Sequence, residues 1–294
     1  MEPITIMIVG AQKAGTSSLL QYLGQHPDIC FHRQREFVFF INDFQYSKGY
    51  EYSFRDYFPH AAPGQILLAK NAMLMYSQTA MERLHDHNPG VSVIALLRNP
   101  IDRAYSAYWF ARSRGWENIP TFEEAIRAEP NRIKDGGWLK WRNNAYLENG
   151  KYAFHLERLQ GYFSAGQTRI YLIEDLKTDP GKIFRQIFEM AGVSQDFSPD
   201  ISNKHNPSTL ARSEKFAQWF ALFLDPRNKV TRMVKQILPS NLRRDMREYV
   251  KRANTSELVP PPMAAETRQY LAEYFRPANE ELANLLGRDL SGWK

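Results

Sequence analysis

Apolar residues along this chain fall into two kinds of segment. Short, mainly apolar runs, ITIMIV (4–9), QILLAK (65–70), VSVIALL (91–97) and TRIYLI (168–173), are separated by longer stretches in which apolar residues recur every three or four positions. A continuous apolar run reads as a strand buried on both faces, and the three-to-four spacing reads as a helix with one buried stripe. Helices are predicted from Thr16 or Ser17 to Gln25 and over 77–87, 101–114 and 151–163. Their alternation with the strands predicts an α/β fold built on a central parallel β-sheet flanked by helices.

Beyond Ile173 the pattern becomes mostly helical. TDPGKIFRQIFEMAGV (178–193) predicts a helix with Pro180 near its start and Gly192 at its end. The loop at 194–211 and the VPPP break at 259–262 punctuate the rest, but neither is long enough to argue for an independent domain. A single domain spanning 1–294 is expected.

The first predicted strand runs into GAQKAGTSSL (10–19). In such a turn, successive backbone N–H groups and the positive end of the following helix surround an anion. Gly10, Gly15, Thr16, Ser17 and Ser18 supply these parts. The Walker pattern puts lysine directly after the second glycine, but Thr16 stands there and Lys13 lies inside the loop. That displacement disfavours nucleoside triphosphate hydrolysis and points to a different group donor.

A second constellation, VSVIALLRNPIDRAYSAYW (91–109), is a strand ending at Arg98, a turn at Asn99-Pro100 and a helix carrying Ser106. An arginine at the carboxyl end of a parallel strand faces the crevice where such sheets bind ligands, and its planar fork suits a phosphate. Anion sites at two strand ends call for a ligand with phosphates at two places.

Composition narrows the class. The 294 residues are 43% hydrophobic, enough for a sizeable core, with no apolar run long enough to span a membrane and no signal-like start at Met1–Thr5. The chain therefore reads as soluble and cytoplasmic. The single cysteine, Cys30, excludes an internal disulfide and a cysteine-cluster metal site and reads as a small buried thiol. The net charge of +6 is concentrated: residues 227–252 hold nine Lys or Arg against Asp245 and Glu248. That stretch reads either as a solvated helical pair or as a peripheral membrane or acidic-polymer contact. It lacks the regular aromatic interleaving of a nucleic-acid surface, and no nucleic-acid recognition motif occurs. His85 and His87 in LHDH splay to different faces of a helix, so no metal site is expected there.

Together, GAQKAGTSSL and LLRNPIDRAYSAY resemble the 5′-phosphosulfate loop and the 3′-phosphate motif of sulfotransferases that use 3′-phosphoadenosine 5′-phosphosulfate (PAPS). HPDI, REFVFF (35–40), YSKGYEY (46–52), GKYAFHLERL (150–159) and the terminal EYFRPANEELANLLGRDLSGW are similar to segments of the heparan sulfate N- and 3-O-sulfotransferase branch. The likeness covers nearly the whole chain and is weakest at 110–145 and 194–260.

The resemblance implies a P-loop-like sheet and sulfuryl transfer to an acceptor hydroxyl of a carbohydrate, a polysaccharide or a lipid. It implies that Gly10, Ala11, Gln12, Lys13, Ala14, Gly15, Thr16, Ser17 and Ser18 hold the 5′-phosphosulfate, with Lys13 stabilising the departing oxygen. Arg98 and Ser106 would bind the 3′-phosphate, and Glu36 in REFVFF would be the general base. Lys70 matches a lysine of the branch's EKTPSYF-like segment, although Ala69 departs from the usual glutamate. Tyr152 and His155 match a GxYxxH helix face near the substrates, His155 as a catalytic candidate. Lys204 or Arg212 would close over the 3′-phosphate, in a loop that departs from the family's Lys-Gly pattern. A sulfuryl group carries less charge than a terminal phosphoryl group, so no metal is expected. Two other readings of the residues stay open: an atypical P-loop kinase, and a non-catalytic module for an anionic polymer or membrane surface working through 227–252.

Overall fold

The computed structural model describes residues 1–135, 143–202 and 260–294. Strands β1 (Ile6–Gly10), β2 (Ile29–Phe31), β3 (Ile66–Lys70), β4 (Ser92–Leu97) and β5 (Thr168–Leu172) form one sheet in the order β2-β3-β1-β4-β5. All its pairings are parallel. Every residue of β1 and β4 is buried, as expected of central strands covered on both faces.

Helices α1 (Thr16–Leu23), α2 (Asp43–Ser47), α3 (Tyr50–Tyr57), α4 (Gln78–His87), α5 (Pro100–Ser113) and α6 (Phe122–Asp135) precede β5 together with α7 (Tyr152–Gln160). After β5 come α8 (Ile173–Thr178), α9 (Pro180–Ala191) and α10 (Ala265–Leu286). The α/β architecture is that expected from the apolar pattern, and the described residues after β5 are mostly helical, as that pattern predicts.

Packing divides the chain into two compact units. The first, Met1–Arg103 with Lys151–Asn206 and Phe275–Trp293, contains the sheet. Its core includes Ile6 and Ile8 of β1, Leu19, Leu20 and Leu23 of α1, Ile94 and Leu96 of β4, and Ile183, Phe184, Ile187 and Phe188 of α9. The spacing on α9 places its apolar residues on one stripe. The Asp179 side chain accepts from Lys182 N at 3.0 Å, Pro180 opens the helix and Gly192 closes it in the left-handed conformation.

In the second unit, Ala104–Gly150 and Pro207–Tyr274 with Lys294, the described residues surround a fully buried carboxylate. Glu117 accepts from Arg132 at 2.8 and 3.1 Å, from Tyr146 at 2.7 Å and from Asn144 at 3.2 Å. These bonds hold its carboxyl below the ordinary range against the opposing effect of burial.

The strand order reverses at β1. The chain runs out to β2, returns to β3 beside β1, then crosses to β4 and β5 on the other side. In such sheets ligands bind outside the carboxyl ends of the strands at the reversal. Here those ends are Gly10, Lys70 and Leu97, on three adjacent strands.

Differences from the sequence pattern are local. β1 begins at Ile6 rather than Ile4, and Ile173 starts α8 instead of ending β5. β2 has three residues, too few to show a period, and was not expected; Cys30 sits buried within it. The histidines of LHDH do part company: His87 Nε2 accepts from Ile4 N at 3.2 Å, while the His85 side chain is 40% exposed. Lys204, Arg212 and the basic stretch 227–252 lie outside the described residues.

Phe188 is fully buried against the sheet, so Phe188→Ala is expected to cost about 3–5 kcal/mol in urea unfolding. A loss below about 1 kcal/mol would remove it from the core.

Candidate active site

The loop after β1 owes its shape to residues that resist replacement. A Cβ on Gly10 would lie 2.1 Å from Met75 Sδ, so the Met75 thioether occupies the place of a side chain there. Gly15, the residue before α1, has φ +94° and would set a Cβ 2.8 Å from Ile173 Cδ1. Lys13 adopts φ +68°, a left-handed conformation that costs a non-glycine residue about 1 kcal/mol. Ala11 N donates to Leu96 O at 2.7 Å and Ala14 N to Ala11 O at 3.2 Å, which ties the start of the loop to β4 and folds its middle back.

Helix α1 has no side-chain cap at its positive end. Its N-cap is a glycine, and no acid stands in its first turn. The first-turn N–H groups of such a helix and its dipole favour an anion. The donor chemistry of the loop thus fits a phosphate or phosphosulfate group, and Lys13 adds a cation to it.

Arg98, just past β4, reaches this loop: its Nη1 donates to Lys13 O at 3.3 Å. The Tyr152 hydroxyl, from α7, donates to Arg98 O at 2.9 Å. Burial holds the Tyr152 hydroxyl well above its usual pKa, so it stays protonated and able to donate. Tyr152 therefore supports Arg98 from behind, with its ring buried.

On the other side of β1, Lys70 ends β3 with its side chain 1% exposed. Its Nζ donates to Glu36 Oε1 at 2.9 Å and to Ser17 Oγ at 3.0 Å. Glu36 Oε2 accepts from Ala72 N at 3.0 Å, so both carboxylate oxygens are engaged while the side chain remains 31% exposed. The segment bearing Glu36 is pinned to the sheet. Phe37 N donates to Lys70 O at 2.8 Å, Asn71 Nδ2 donates to Phe37 O at 3.0 Å, and Asn71 N donates to Ile8 O at 2.9 Å. Removing the carboxylate from a pair this deeply buried on its lysine side leaves an uncompensated charge.

His32 lies behind Lys70 and accepts the Lys70 backbone N–H at 3.1 Å through Nε2. Burial first, and the Lys70 ammonium second, push its pKa down to about 3, so the imidazole is neutral at physiological pH. A neutral ring can accept that bond without adding a second cation beside Lys70.

The structure therefore brings together residues 10–18, Glu36, Lys70, Arg98 and Tyr152 within the first unit. His155 is 2% exposed, with its ring edge-on to Tyr76 at 4.8 Å and Arg158 Nη2 3.4 Å from its Nδ1. Burial pushes Tyr76 up to about 12. Ser106 belongs to the second unit, on α5, and Lys204 and Arg212 lie outside the described residues. Sequence reading did not single out His32, Asn71, Tyr76 or Met75. Each acts through strand register or packing, which leaves no local pattern in the sequence.

A parallel sheet with a glycine-bounded turn after its central strand, an arginine on one side and a lysine–glutamate pair on the other, has the architecture of a P-loop-like fold. Residues 3–206 match the family model of the sulfotransferase domain. The chain belongs to that sulfotransferase family.

It is 29% identical over 304 residues to the bifunctional heparan sulfate N-deacetylase/N-sulfotransferase 4 of Mus musculus, covering 98% of this chain and 30% of that protein. It is 26% identical over 288 residues to the heparan sulfate glucosamine 3-O-sulfotransferase 3B1 of Mus musculus, covering 98% of this chain and 64% of that protein. The chain thus spans about a third of the first of these relatives and under two thirds of the second. Among solved structures, a sulfotransferase from Alicyclobacillus acidocaldarius shares the fold, with a TM-score of 0.70, 24% identity, and coverage of 100% of this chain and 99% of that one. No helix among the described residues is long and apolar enough to cross a membrane.

His32 makes a pH test possible. Its folded pKa lies below the unfolded value of 6.5, so its contribution to stability is full above that value and is lost as pH falls toward about 3. The wild type should lose up to about 1.4 kcal/mol per pH unit more than His32→Asn between these limits. Equal slopes in urea titrations at pH 6, 5 and 4 would show that His32 is not buried neutral.

Proposed function

We propose that the protein transfers a sulfuryl group from PAPS to a hydroxyl of a carbohydrate or polysaccharide acceptor, by in-line displacement. The observation that carries this reading is the buried Lys70 ammonium bridging Ser17 of the anion loop and Glu36, because it joins an anion site to a carboxylate that remains partly exposed. The kinship with heparan sulfate N- and 3-O-sulfotransferases supports the choice of a carbohydrate acceptor.

When bound, the donor supplies the sulfuryl group and leaves as adenosine 3′,5′-bisphosphate. Toward that compound, the N–H groups of the loop and of the first turn of α1 would hold the 5′ end, and Lys13 would neutralise charge on the leaving oxygen. Arg98, anchored by its bond to Lys13 O and by Tyr152, would serve the 3′-phosphate with its remaining N–H donors. Glu36 would accept the proton of the acceptor hydroxyl. It is the carboxylate described beside the loop that retains exposure, and the Ala72 N–H fixes its orientation. Lys70 would steady charge between the two ends of the site.

The displaced Lys13 fits this chemistry better than ATP hydrolysis, since the place after Gly15 that a Walker lysine would fill is Thr16.

Isothermal calorimetry with adenosine 3′,5′-bisphosphate tests the donor. Binding with a dissociation constant well below a millimolar is expected, and no heat at millimolar ligand would end this reading. With PAPS and heparan-type acceptor oligosaccharides, Lys13→Ala should lower kcat by about 10²–10³. Glu36→Gln should lower it by about 10²–10⁴ while nucleotide binding persists. Turnover near that of the wild type in Glu36→Gln would strip Glu36 of the base role.

A further inference from the structure

We propose that Ser17 couples occupancy of the anion loop to the readiness of the base, by sharing the Lys70 ammonium with Glu36. The inference rests on the reading of the loop as the donor site and of Glu36 as the base.

The geometry is that of one cation between two acceptors. Lys70 Nζ has three N–H donors and no acceptor, and it gives one to Ser17 Oγ at 3.0 Å and another to Glu36 Oε1 at 2.9 Å. Buried to 1% exposure, it has little water to turn to when one of these bonds changes. Ser17 is the second residue of α1, in the turn whose N–H groups face the loop. Because Oγ accepts from Lys70, its own O–H proton is directed away from Nζ.

An anion seated at the start of α1 would take that proton in a hydrogen bond. Chains of hydrogen bonds polarise one another, so Oγ would then hold the ammonium more strongly. The attraction of the anion for Lys70 acts in the same direction. What Ser17 gains, Glu36 loses: its Oε1 bond weakens while the Ala72 N–H keeps Oε2 in place. Glu36 stays in position and becomes more basic. With the loop empty, the carboxylate is held as an ion pair; with it filled, the same carboxylate is freed to take a proton.

The ionisable groups described around the pair do not blur this response. His32, behind Lys70, is neutral down to about pH 3. Tyr57, on α3, senses the charge of Glu36 and is pushed up to about 12, chiefly by burial. Arg35 precedes Glu36 in the chain and keeps its charge across the range.

The test is a carboxyl ¹³C NMR titration of Glu36 in the full chain, the resonance assigned with Glu36→Gln, with and without saturating adenosine 3′,5′-bisphosphate. In the wild type the midpoint should rise by about one pH unit on nucleotide binding, the scale on which a neighbouring opposite charge acts. The nucleotide's own charge would also raise it directly, so Ser17→Ala is the control. In that variant, with the nucleotide raised until it saturates a site weakened by loss of the hydroxyl, the rise should be less than half that of the wild type, and Ser17→Thr should restore it. Binding with an unmoved midpoint in the wild type, or an undiminished rise in Ser17→Ala, overturns the coupling and leaves the proposed function standing. Failure of the nucleotide to bind the wild type overturns both. Should Ser17→Ala not fold, the wild-type titration and the retained rise in Ser17→Thr decide.

Discussion

A buried ammonium at the end of β3 organises the site. Lys70 has almost no contact with water, so its charge must be met by protein. Glu36 and Ser17 meet it, and each belongs to a different element: the loop following β2, and α1. The backbone of the same residue is held as well, its N–H by His32 and its carbonyl by Phe37 N. One residue thus fixes four others around it. The arrangement exists because parallel pairing sets Lys70 level with Ile8, two residues before the turn at Gly10.

The opposite wall is built with weaker forces. Arg98 contributes one long hydrogen bond to the loop, backed by Tyr152, and the loop's curvature comes from Lys13 and Gly15 in left-handed conformations. A single strained lysine at about 1 kcal/mol is tolerable because the core under it is close-packed, with Met75 filling the space above Gly10. That conformation keeps Lys13 inside the turn, three residues before Thr16, where a Walker lysine would stand.

How much of this was legible in the sequence depended on whether residues act through local pattern or through register. The runs over 65–70 and 91–97 became β3 and β4 nearly unchanged because buried parallel strands are apolar on both faces, and α9 was announced by Pro180 and Gly192. GAQKAGTSSL could be read as an anion loop because the turn, the lysine and the helix start are contiguous. The partnership of Glu36 with Lys70 spans 34 positions, and that of Lys70 with Ser17 spans 53, so no spacing rule announces either. His32 was invisible for the same reason: its role follows from β2, whose three residues leave no periodic trace. Least legible among the described residues of the second unit was the polar network around Glu117, whose partners lie 15 to 29 positions away.

The strand order also has a consequence for how the chain acquires its site during synthesis. β1 and the loop emerge before β3 and β4, yet β1 lies between them, and Ile6 must wait for Leu68 and then Ser92 before it is paired on both sides. At about 5–20 residues per second, translation leaves the loop without walls for several seconds. Until then Lys13 has neither Arg98 nor β4 to hold its turn, and Ser17 has no ammonium to share. The loop after β1 is complete only when the sheet closes around it, through pairings distant in sequence, which form slowly.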